Sequence, residues 1–278
     1  MSNAYVSKRV LKVSAVLKYR FFLLYILFTA GFGANASAQT DSMAFIEGGH
    51  FMPFYHTSDD SVAVASFYLD KHPVTNGEFL AFVKVNPQWR RSQVKSIFAE
   101  PGYLNHWSGD LDLGPRAEQI KDSPVTNVSW FAARAYAQWK GKRLPTLHEW
   151  EYAASASRDQ PLAGRNKGFV QQILDWYSRP SPTILPAVGQ QTPNYYGVYD
   201  LHGLIWEWVQ DFNTVFISGE SRADQGELKQ FYCAAGSSAA SDIDKENYAA
   251  FLRYAFRGSL EADFSVGNLG FRCARDKQ

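Results

Sequence analysis

Between Ser42 and Tyr55 apolar and polar residues alternate on either side of Gly48 and Gly49, a pattern that predicts a hairpin, and VAVASFYLD from Val62 to Asp70 predicts a further strand. The spacing then lengthens. Thr75 and Glu78 stand three apart ahead of the apolar run FLAFV, the arrangement of a capping box, so a helix starts there. Ser129 is placed to cap a second helix, with Trp130, Ala133, Ala137 and Trp139 on one side and Gly141 at its end. Thr146 and Glu149 repeat the capping-box spacing before a third helix, and Arg143 is in reach of Glu149 or Glu151 for a buried pair. Residues 86–122, with Trp89, Trp107, Gly109, Gly114 and Pro115, follow neither period and are expected to form a long surface excursion.

Residues 158–193 are polar and rich in proline, and one helix is expected around Phe169 to Tyr177. NYYGVYDLHGLIWEWVQDFN, residues 194–213, combines a turn with a dense aromatic wedge. Asp200 and Glu207 are two carboxylates with Gly203 between them, a layout in which backbone carbonyls can turn inward beside hard oxygen ligands. The same residues also read as a surface turn leading into a core strand, with Trp206 and Trp208 buried and Glu207 facing the other way. Further on come a polar loop (ISGESRADQGELKQ), a short strand (FYCAAG) and an acid-rich turn containing Asp242, Asp244 and Glu246. FLRYAFRGSLEADFSVGNLGFRCARD is expected to run as strand, loop and closing strand, the last containing Cys273.

The chain has 278 residues, 46% hydrophobic, enough for one sizeable core. Its start differs from the rest. Lys8, Arg9, Lys12, Lys18 and Arg20 precede FFLLYILFTAGFG, and small residues end at Ala36-Ser37-Ala38, so residues 1–38 are expected to be a cleavable signal peptide and 39–278 the mature domain. No cysteine near the cut suits a lipid anchor, and the expected location is periplasmic or secreted, without stable membrane insertion after cleavage. The first 38 residues hold five of the 28 Lys+Arg and no acids, leaving 23 against 27 Asp+Glu, which disfavours a nucleic-acid partner. In an oxidising compartment the two cysteines, Cys233 and Cys273, are expected to form one disulfide. HExxH, GxSxG, Walker and dinucleotide motifs are all absent from the sequence, and the six histidines show no helical pair; His202 lies inside the Asp200 to Glu207 loop.

FIEGGHFM, FYLDKHPVTNGEF, PVTNVSW, GKRLPTLHEWEY, YGVYDLHGLIWEW and NLGFRC occur in the order of the signature segments of the formylglycine-generating enzyme, or sulfatase-modifying factor, family, and the chain resembles that family from about residue 43 to 275. The resemblance implies a single α+β domain of the C-type-lectin-like type with long irregular loops. It implies a structural Ca²⁺ at Asp200, Gly203, Ile205 and Glu207. Active members are copper oxidases that use two thiolates, five residues apart, to convert a substrate cysteine to formylglycine. Those positions fall near Asp244 and on Ala249, neither a cysteine. Cys273 matches a structural cysteine whose usual partner position is Ala137 here, which leaves Cys233 as the disulfide candidate; a relocated copper-binding thiolate pair with Tyr254 or a nearby carboxylate is the competing use, and free buried thiols a third.

FISGESR and NYAAFLRYAFRGSL resemble the branch associated with copper nitrite reductases, whose members lack the paired cysteines. The resemblance therefore implies an accessory or maturation factor for another exported protein or peptide. A metal-dependent oxidase with a rearranged site and a non-catalytic, lectin-like binding module built on the 86–122 and 158–193 loops are the other readings.

Overall fold

The computed structural model describes residues 42–53, 61–164, 166–213 and 245–278. Strand β1 (Met43–Ile46) buries Met43, Ala44 and Ile46 and pairs antiparallel with β4 (Phe67–Asp70), Met43 opposite Asp70. Strand β2 (Gly49–Phe51) pairs instead with β3 (Val62–Val64). The expected hairpin about Gly48 and Gly49 is thus replaced by a crossing between two sheets. Gly48 shows why: a Cβ there would stand 2.5 Å from the Val64 carbonyl oxygen and 2.6 Å from the Ser66 nitrogen. Only glycine allows that approach of backbone to backbone. The same junction splits the expected Val62 to Asp70 strand in two. The closing strand β7 (Ala274–Asp276) pairs with the other edge of β4, giving a sheet in the order β1-β4-β7.

Helix α1 (Asn76–Val85) begins with the expected capping box, Glu78 N–H donating to Thr75 Oγ1 (3.2 Å) and Thr75 N–H to Glu78 Oε2 (2.9 Å). Each bond satisfies a donor that the first helical turn leaves open. Phe79, Phe82 and Val83 face the core. In the 86–122 segment a 3₁₀ turn (Pro87–Trp89) and helix α2 (Ala117–Ile120) are the helical pieces. The segment is not a surface excursion: Ala99, Tyr103, Leu104, Trp107 and Leu113 are buried in the main core. One amide replaces regular structure in tying it down. Asn76 Nδ2 donates to the carbonyls of Ile120, Ser123 and Pro124, and Asn76 Oδ1 accepts from His106 Nε2 (2.9 Å) and Trp107 Nε1 (2.8 Å).

Helix α3 (Trp130–Trp139) is capped by Ser129 and followed by Gly141 at φ +66°. Its buried face is Ala132, Ala133, Tyr136 and Ala137, whereas Trp139 is 41% exposed, contrary to expectation. The small residues let α3 lie close to the core, and the tryptophan is left at the margin. Helix α4 (Leu147–Ala154) carries the second capping box, and Glu149 also receives Arg143 through two bonds of 2.7 Å. Helix α5 (Lys167–Tyr177) appears where expected, capped by Asn166. Residues expected as a strand near Phe251 form instead helix α6 (Lys245–Gly258). Strands β5 (Trp206–Glu207) and β6 (Leu269–Gly270) form a short parallel pair. The whole is an α+β fold with short strands and long connections, and among the described residues no helix is long and apolar enough to cross a membrane.

Candidate functional site

The 194–213 stretch closes around buried charge. Asp200 and Gly203 take left-handed backbone conformations (φ +59° and +101°), which aspartate tolerates and glycine adopts freely. Asp200 Oδ2 accepts from the Gly189 N–H at 2.6 Å, and burial raises its carboxyl above the ordinary value. Glu207 is 2% exposed, so it does not face solvent as the parity of the strand alone implies. Its carboxylate receives Arg272 through Nε to Oε2 and Nη2 to Oε1, both 2.8 Å, and Trp150 Nε1 to Oε2 at 2.7 Å. Arg272, itself fully buried, donates further to the carbonyls of Asp70, Lys71 and Tyr199. This partner was missed in the sequence, where the only signal is a guanidinium set between Phe271 and Cys273 in an apolar closing segment.

The geometry bears directly on calcium. Asp200 and the carbonyls of Gly203 and Ile205 are hard oxygen donors of the right chemistry. The charge of Glu207 is already answered by Arg272, and a cation at the four expected positions has to share Glu207 Oε1 with that guanidinium. Among the described residues no group of three or more His, Cys, Asp and Glu side chains converges in a way that could hold a metal.

A second buried cluster joins α4 to α6. Glu151 accepts from Arg253 Nε (2.9 Å) and Nη2 (2.7 Å) and from Arg257 Nη1 (2.6 Å), and Arg257 lies over the Trp150 ring at 4.4 Å. Burial opposes its ionisation, but the two guanidinium groups outweigh burial and lower its pKa to about 2. The sequence offered Arg143 as a partner for Glu149 or Glu151; the structure gives it to Glu149 and to Asp276 on the closing strand, and not to Glu151. Arg253 and Arg257 are four apart and meet one carboxylate, which only a helical segment allows. Trp206 is stacked between Tyr177 (5.0 Å between centroids) and Phe256 (4.6 Å) beside this cluster.

One turn before Arg253, Ala249 is 2% exposed and packs with Val170 and Ile173 of α5. This is the position at which the family resemblance places the second copper-binding cysteine, and a methyl group there supplies packing and no ligand. Asp244 and Cys233 lie outside the described residues, as do Asp242 and the FYCAAG strand. Cys273 is fully buried, its N–H donating to Asp70 Oδ2 (3.1 Å) while Lys142 Nζ pairs with Asp70 Oδ1. Burial first, and then the Asp70 charge, push its thiol well above the usual cysteine range. His202 donates from Nε2 to the Ala154 carbonyl (2.8 Å), stands edge-on to Trp150 and Phe169, and has a buried Nδ1 without a partner among the described residues. Burial, and then Arg253, lower its pKa to about 4.

Two outcomes are expected from these charges. Glu207→Gln leaves Arg272 buried without an opposite charge and should lower the unfolding free energy by about 3–5 kcal/mol in urea titration, in chelator as well as without it; a loss below about 1 kcal/mol sinks the assignment of Arg272 as its essential partner. The pH dependence follows from His202. The unfolded chain binds a proton near pH 6.5 and the folded chain only near pH 4, so stability falls as pH drops through that window. Below it, Glu151 adds a further loss between about pH 4.5 and 2. His202→Gln should reduce the slope of stability between pH 6.5 and 4 by about one proton, and an unchanged slope would refute the buried neutral imidazole.

Comparison with known proteins adds the lineage. The sulfatase-modifying factor enzyme 1-like domain matches residues 29–277. The formylglycine-generating enzyme of Streptomyces coelicolor is 29% identical over 256 residues, covering 78% of this chain and 80% of that protein. The inactive C-alpha-formylglycine-generating enzyme 2 of Mus musculus is 27% identical, covering 85% and 86%. The crystal structure of CarF superposes with a TM-score of 0.46 at 17% identity, covering 85% of this chain and 98% of that one. The match of the sulfatase-modifying factor domain over residues 29–277 shows that the protein belongs to the sulfatase-modifying factor family.

Proposed function

We propose that this protein is an exported accessory or maturation factor for another exported protein, and that it does not generate formylglycine. The observation that carries the reading is Ala249, whose methyl group is packed against Val170 and Ile173 where the chemistry of the family needs a thiolate. Cys273 is fully buried and stands without a second cysteine among the described residues. Kinship with an inactive formylglycine-generating enzyme 2 is consistent with a fold retained without the oxidation. The basic and apolar N-terminal stretch supports export, and the balance of acids over bases beyond it supports a protein or peptide partner over nucleic acid.

Incubated with Cu(I), O₂ and a cysteine-containing substrate peptide, the purified protein should yield no formylglycine by mass spectrometry, and deletion of its gene should impair maturation of a co-exported protein. Turnover of the peptide, or normal maturation of every co-exported protein in the deletion strain, overturns the proposal. Calcium at Asp200, Gly203, Ile205 and Glu207 is part of the same reading as a structural ion. A millimolar excess of Ca²⁺ over its Kd should raise the melting temperature of chelator-treated protein by mass action, and an identical melting temperature in Ca²⁺ and in chelator removes the ion from the account.

A further inference from the structure

A cleft of about 790 Å³ opens beside the His202 turn, and neither the buried ion pairs nor the Ala249 packing uses it. One wall is a face of α5, where Phe169, Gln172 and Trp176 recur at intervals of three and four, with Arg179 just past the helix end. Such spacing places side chains about one turn, or 5.4 Å, apart along one side. The opposite walls come from residues 156–159 and 191–194, and the floor from Asp200 to Gly203. Gly203 is needed there: a Cβ would lie 2.8 Å from the Gln191 amide nitrogen, so its absence lets Gln191 lie over the turn.

The lining is chemically selective. Gln172, Gln191 and Arg179 line the cleft without a side-chain hydrogen bond to any described residue. Asp200, 5% exposed, presents a carboxylate on the floor; Arg158 stands 4.0 Å from Asp159, Asp175 accepts from Gln171 at 2.7 Å, and Arg179 adds a second guanidinium to the lining. An anion meets the floor carboxylate, and a strongly cationic ligand meets two guanidinium groups. A neutral ligand rich in paired donors and acceptors suits the whole set. No strand edge lines the cleft, so an extended peptide finds no ladder of backbone groups to join.

We propose that this cleft binds a neutral saccharide of two or three units. Planar amide and guanidinium groups address neighbouring hydroxyls in pairs. Phe169 and Trp176 offer apolar ring surface to the C–H face of a sugar. The volume lies within the range of about 300–1,000 Å³ typical of small-ligand sites. The proposal stands apart from the accessory reading, since it requires neither a protein partner nor a metal.

The test is saturation-transfer NMR on the full purified protein with maltotriose, chitotriose and mannotriose as probes and a neutral Gly-Ser peptide of similar size as control. At least one trisaccharide should bind, the peptide should not, and Gln172→Ala and Arg179→Ala should each weaken binding about threefold to tenfold, the effect of one hydrogen bond. Both side chains are exposed, so the melting temperature of each variant should stay at the parent value. Absence of transfer to all three trisaccharides, binding indifferent to both substitutions, or binding of the peptide in their place overturns the proposal.

Discussion

The Glu207 and Arg272 pair is the constraint on which the remaining architecture depends. Two opposite charges are fully enclosed, and enclosure is tolerable only because every strong donor and acceptor finds a partner. The guanidinium binds the carboxylate in parallel and spends its other protons on the carbonyls of Asp70, Lys71 and Tyr199. One side chain thereby fixes the end of β4, the Tyr199 turn and the approach of β6 to β7. Trp150 brings α4 to the same carboxylate, and Arg257 lies on the other side of its ring, so the second buried carboxylate, Glu151, is held in register with the first. Two acids from different segments are each neutralised by arginines from the last third of the chain.

Much of the local structure was legible in the sequence because its causes are local. Thr75 with Glu78, and Thr146 with Glu149, each contain both halves of a reciprocal bond within four residues, and both helices begin there. Ser129 and Gly141 mark the limits of α3 in the same way. The hairpin failed because alternation says which face of a strand is buried and not which strand lies beside it; the crowding at Gly48 decides that, and its partners are Val64 and Ser66. The 86–122 segment was misread for a related reason. Its aromatic residues follow no period because they enter the core from turns, held by the side chain of Asn76.

At the candidate site the carboxylates could be found by spacing, but their partners could not. Asp200 and Glu207 lie close in sequence, whereas Arg272 is 65 residues from Glu207 and Arg253 is 102 from Glu151. Pairings over such separations leave no periodic trace. The strand expected near Phe251 is a helix for this reason: NYAAFLRYAFRG is apolar enough for either, and the demand of Glu151 for two guanidinium groups on one side settles it. The same helix turns Ala249 inward, where it completes a small apolar seam with Val170 and Ile173 of α5.

Arg272 has a temporal consequence as well. Its bonds to Asp70 and Lys71 close loops of about 200 residues, and contacts so remote in sequence can form only after nearly all of the chain is available. A polypeptide emerging amino end first from a ribosome therefore exposes Glu151 and Glu207 before the arginines that answer them, Arg253, Arg257 and Arg272, have been made. Glu151 is answered first, by Arg253 and Arg257, and Glu207 only when Arg272 follows them.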